Sequence, residues 1–111
     1  MTERRKFARI PVSLMLKFKS FEHLEHMVEG HIGDLSLGGM FLRTSQVKPV
    51  GTTVQMEIPV RDDTLCIRGE VRGVRYNNGK PVGMGIEFRD LDEQSRRLIQ
   101  YIMDKQKNGK D

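Results

Sequence analysis

Residues 28–43 read Val28-Glu-Gly-His-Ile-Gly-Asp-Leu-Ser-Leu-Gly-Gly-Met-Phe-Leu-Arg43. Short apolar alternations flank a Ser-Leu-Gly-Gly turn whose glycines tolerate positive φ, so the stretch reads as two strands joined by a hairpin. Upstream, Val12, Leu14, Leu16 and Phe18 alternate with Ser13, Met15, Lys17 and Lys19, the period of a strand with one buried face, entered at Pro11. Downstream of Pro49 and Gly51, Val54, Met56, Ile58 and Val60 repeat the pattern in a strand expected to fray at Pro59. Leu65, Ile67 and Val71 keep one phase while Val74 and Tyr76 take the other, which places a β-bulge near Gly73. Asn77-Asn78-Gly79 contains the Asn-Gly pair of a tight hairpin. Its return strand carries Val82, Met84, Ile86 and Phe88 on one face and Gly83, Gly85 and Glu87 on the other. A strand face left bare by glycines marks a bend, a close backbone approach or, less often, a ligand.

Asp90 followed by Glu93 resembles a capping box, and Leu91, Leu98, Ile99, Ile102 and Met103 then recur at near-helical spacing. The expected fold is all-β with a terminal helix: a six-stranded antiparallel β-barrel, whose closure removes exposed strand edges, plus a C-terminal α-helix. A chain of 111 residues suits one domain. Its expected parts are a flexible basic arm over 1–11, the barrel over 12–89, the helix over 90–106 and a disordered tail over 107–111.

With 37% hydrophobic and 31% charged residues the composition is that of an ordinary soluble protein. No apolar run approaches the roughly 20 residues that span a bilayer, so membrane insertion is not expected. The basic N-terminus leads into a strand pattern and not into the apolar core of a signal peptide, so a cytoplasmic location is expected. Cys66 is the single cysteine and excludes an internal disulfide. Within a strand pattern it is expected to be a half-buried, inert thiol. His23, His26 and His31 lie close in sequence, but only Glu22 and Glu25 accompany them, too few to suggest the converging ligands and ordered surroundings of a metal site. Neither a nucleophile with its base nor a carboxylate pair in a cleft stands out, and phosphate-cradling loops are missing. The chain reads as a binding module and not an enzyme.

The formal charge of +4 is concentrated at the front, where Arg4, Arg5, Lys6, Arg9, Lys17 and Lys19 face Glu3 alone within residues 1–19. Such an arm calls for an anionic partner: nucleic acid, lipid headgroups, an acidic protein or a phosphorylated small molecule.

Arg5 and Arg9 stand four apart just before the first strand, and Asp34, Ser36 and Gly39 keep the spacing D-x-S-x-x-G. In both motifs, in the order of the strands, in the return strand Gly83–Phe88 and in the terminal helix the sequence resembles the PilZ domain family. The resemblance implies a PilZ-type barrel and cyclic di-GMP as ligand, bound by Arg4, Arg5, Arg9, Asp34, Ser36, Gly38 and Gly39. It also associates an arginine at the position of Arg4 with an intercalated pair of ligand molecules in place of one. The chemistry is consistent. An ionised Asp accepts from guanine N1–H and N2–H, and Arg donates to guanine O6 and N7 or to phosphate oxygens. The arm is expected to be mobile without ligand, to fold over it on binding, and to relay the change to a protein effector of motility, biofilm, exopolysaccharide or virulence. The chain itself is expected to be a monomer or homodimer. Two rival readings are a basic barrel for nucleic acid and a PilZ-like adaptor that works without ligand. The first is disfavoured because there is no Trp, only Tyr76 and Tyr101, and phenylalanines that mostly fall on core phases. The intact signature stands against the second.

Overall fold

Alternation builds the barrel. Val54, Met56, Ile58 and Val60 are all buried, as are Leu65, Ile67 and Val71, and Met84, Ile86 and Phe88. The structure, a computed structural model, describes residues 8–107. Arg4 and Arg5 of the arm, and the tail from 108, lie outside the described residues. Its elements are β1 (Ile10–Ser20), β2 (Val28–Leu35), β3 (Gly39–Arg43), β4 (Thr53–Val60), β5 (Asp63–Asn77), β6 (Lys80–Arg89) and α1 (Glu93–Lys107). The six strands, all antiparallel, close in the order β1-β2-β3-β6-β5-β4. Ile99, Ile102 and Met103 of α1 join the core, and the helix packs on β1 and β5 of its own barrel.

The hairpin at residues 77–80 is as expected: Asn78 (φ 54°) and Gly79 (φ 79°) both adopt left-handed backbone, the requirement of the type I′ turn that suits strand twist. The bulge near Gly73 is present as a register shift between Val71 and Gly73. Pro59 does not fray β4. It pairs with Thr64 of β5, and its missing N–H costs nothing because the β1 partners of β4 reach only Glu57. Cys66 is fully on the outer face and exposed, not half-buried, since burial of Leu65 and Ile67 turns the residue between them outward. The helix is capped two residues later than the Asp90–Glu93 spacing suggests. Asp90 has φ 53°, and the Asp92 carboxylate accepts the Ser95 N–H at 2.8 Å.

In the 21–27 connection His23 and His26 are exposed, and no group of metal-holding side chains occurs among the described residues. Glu25 does the structural work there. It accepts from the Ser20 N–H at 2.8 Å and from Lys48 Nζ at 3.0 Å, fixing the exit of β1. The Ser20 backbone bond foremost, then Lys48, holds the Glu25 carboxyl below its ordinary value, and the Ser95 N–H does the same for Asp92. An unfolded chain therefore binds protons at these groups before the folded one does. Their contribution is complete above the ordinary carboxylate range and disappears as pH falls through the lowered folded values. The thermal midpoint should hold level from neutrality to about pH 5 and then decline. The Glu25→Gln protein, unable to titrate there, should decline less steeply; an identical acid limb would remove Glu25 from the account.

Candidate functional site

Strict alternation along β2 would put Asp34 on the same inner face as Ile32. The register against β3 shifts between Ile32 and Asp34, leaving Gly33 as the extra residue of a bulge. Leu35 then faces the core, fully buried, and Asp34 turns out onto the barrel surface. There it pairs with Arg9, which precedes β1 and reaches Asp34 through Nη1; the two side chains are 27% and 36% exposed. The structure thus joins two of the sequence-derived site residues that lie 25 positions apart.

Ser36, Gly38 and Gly39 form the adjoining turn, and the structure places them as its frame. Ser36 is 4% exposed. Its Oγ accepts the N–H of both Gly38 and Gly39 at 3.1 Å, and its own N–H donates to the Gly39 carbonyl at 2.9 Å. Gly38 accepts the Phe88 N–H at 2.9 Å, tying the turn to β6. Neither glycine uses positive φ, in contrast to the expectation for this turn. Gly39 is required for space: a Cβ there would run into the Ile86 carbonyl oxygen, so β3 approaches β6 only because the side chain is missing.

Asp34 and Arg9 open onto a cleft of about 270 Å³ whose other walls are Phe41, Gly73, Val74, Arg75 and Gly85. Sequence reasoning missed these five. Phe41 does not fall on a core phase; with Met40 and Leu42 buried it points outward, half-buried, under Arg75, whose guanidinium carbon sits 4.2 Å from the ring centroid. The usable signals were Phe41 between two buried neighbours and the glycines of β5 and β6. Beside the cleft, Glu70 and Glu87 face each other across β5 and β6, a repulsive arrangement that Arg72 and Arg89 neutralise. The hydrogen bond from Arg89 holds the Glu70 carboxyl below its ordinary value. A second cleft, about 310 Å³, lies at the start of α1. Its arginines are engaged, Arg68 over the Phe21 ring at 4.7 Å and Arg89 with Glu70, and Asp90 and Asp92 share its wall.

A family model described as PilZ domain matches residues 3–104. Among curated proteins nothing matches the chain. The barrel is similar to the PilZ domain of Escherichia coli YcgR solved with c-di-GMP, with a TM-score of 0.74 at 17% identity over 96% of this chain and 94% of that one. It is similar to the Bacillus subtilis inhibitor of motility MotI/DgrA, TM-score 0.76 at 17% identity, covering 98% of this chain and 54% of the other, which is about twice as long. A third likeness is to the K. pneumoniae MrkH–c-di-GMP complex, TM-score 0.72 at 16% identity over 92% and 52% of the two chains. The closed six-stranded barrel with its terminal helix recurs in these folds and the family model spans nearly every residue, so the chain belongs to the PilZ domain family.

Proposed function

We propose that the chain is a receptor for cyclic di-GMP that closes its basic arm on the ligand and relays the change to a protein effector. The observation that carries this reading is Asp34, turned outward by the Gly33 bulge and already paired with Arg9 beside an open cleft. An exposed carboxylate accepts two N–H donors from the Watson–Crick edge of guanine, while the Arg9 fork suits its O6 and N7 or a phosphate. YcgR and MrkH, whose structures are c-di-GMP complexes, share the fold, which supports the same ligand class here. Ser36, Gly38 and Gly39 hold the turn that presents Asp34, and Arg4 and Arg5 supply further phosphate donors from the arm. The expected effector is one of motility, adhesion, exopolysaccharide or virulence control.

Calorimetric titration with cyclic di-GMP, and with GMP, cyclic di-AMP and a short single-stranded DNA as controls, tests the reading. Micromolar or tighter binding to cyclic di-GMP alone is expected, with the arm amides gaining protection from exchange in the complex and the stoichiometry reporting one or two ligands. Absence of heat with cyclic di-GMP would overturn the receptor; heat with DNA alone would favour the nucleic-acid barrel.

A further inference from the structure

Asp34, Phe41, Gly85 and Gly73 form one row across four strands, each directly opposite the next in register. Most glycines of the barrel are explained by the fold. A Cβ at Gly30, Gly33, Gly39, Gly69 or Gly83 would meet another atom at 3.0 Å or closer, and Gly51 and Gly79 have positive φ. Gly73 and Gly85 have neither reason: their φ values suit any residue and a Cβ on either would find nothing within 4 Å. Glycine inside a strand forfeits backbone order and cross-strand side-chain contact, so this pair weakens the sheet without serving its packing. Both line the cleft that Asp34 and Arg9 open onto.

Phe41 and Arg75 form the wall beside that bare floor. The Phe41 ring is held in place because Gly83, whose Cβ it would otherwise strike, lets it lie against β6. Arg75 spreads over the ring while remaining exposed to solvent, so the guanidinium keeps its outer face open. A guanidinium stacked on an aromatic ring is a flat, cationic surface of the kind on which a nucleobase stacks.

Resting on the cyclic di-GMP reading, we infer that Arg75, backed by Phe41, is the stacking platform for the purine whose edge Asp34 reads, and that Gly73 and Gly85 are bare to admit it. Stacking needs a plane and not merely a charge. The Arg75→Ala and Arg75→Lys proteins should therefore both bind cyclic di-GMP on the order of tenfold more weakly by calorimetry. Gly85→Val fills the floor, and its affinity should fall at least as far. Its thermal midpoint without ligand should stay level or rise, because a β-branched residue opposite Phe41 is a favourable cross-strand pair. Wild-type affinity in Arg75→Lys would make Arg75 a point charge and overturn the platform; wild-type affinity in Gly85→Val would overturn the floor. A wild-type protein that ignores cyclic di-GMP would instead remove the receptor reading on which both stand.

Discussion

Asp34→Ala is expected to weaken cyclic di-GMP binding by roughly 10² to 10⁴-fold while leaving the barrel folded. The binding estimate follows from the loss of two hydrogen bonds to an ionised acceptor, each worth about 1.5–3 kcal/mol. The stability estimate follows from position. Asp34 stands on the outer face, with its side chain 36% exposed, and the neighbours that anchor the strand, Ile32 and Leu35, are untouched in the core. Its ion pair with Arg9 is partly exposed and contributes about 0–1 kcal/mol to folding. The thermal midpoint should accordingly move by only a few degrees. Calorimetry and thermal unfolding on the same sample separate the two effects. Retained affinity in a folded Asp34→Ala protein would take Asp34 out of the site, and a collapse of both together would make it a structural residue.

Gly39→Ala should do the opposite, damaging the fold first. β3 has five residues and reaches the core through Met40 and Leu42, both fully buried. Its neighbour β6 approaches so closely that a Cβ at position 39 meets the Ile86 carbonyl, and a backbone atom inside a barrel cannot swing aside as a side-chain end can. Overpacking typically costs about 1–3 kcal/mol, and a clash with backbone belongs at or above the top of that range. For a domain of this size that lowers the thermal midpoint by on the order of 10 °C. Gly85→Ala, on a strand position with open space above it, is the control and should unfold at the wild-type temperature. If Gly39→Ala also unfolds at that temperature, the turn can part from β6 without cost, and the reason for glycine there returns to the ligand.

The contrast between these two residues shows what the sequence carries and what it does not. Strands with unbroken alternation, such as β4, and the Asn-Gly hairpin were legible because period and turn chemistry are local. The spacing of Arg5, Arg9, Asp34, Ser36 and Gly39 was legible as a motif, but the outward direction of Asp34 was not. It depends on a bulge at Gly33, and a single glycine in a short strand is equally compatible with regular pairing. The partnership of Phe41 with Arg75 spans three strands, β3, β6 and β5, so it follows from register between segments remote in sequence. The helix start was misplaced because Asp90 and Asp92 are both competent caps, and only the positive φ of Asp90 excludes it from the first turn.

The seam between β1 and β4 bears on where a further strand could attach to the barrel. Pairing there runs only from Lys17–Ser20 to Val54–Glu57, so the barrel loosens toward Pro59. Along β4 this leaves the β1-facing edge past Glu57 open, where a foreign segment would look for backbone to join. A proline there withholds the N–H that such a guest would need. Elsewhere β5 runs on to Asn77 past its last β4 partner position at Glu70, and β6 starts at Lys80 ahead of its first β3 partner position at Gly83. The proline therefore closes only the β4 edge to strand donation, whereas the β5 overhang, which carries Gly73, Val74 and Arg75 of the Asp34 cleft, keeps backbone without a strand partner on its β4 side.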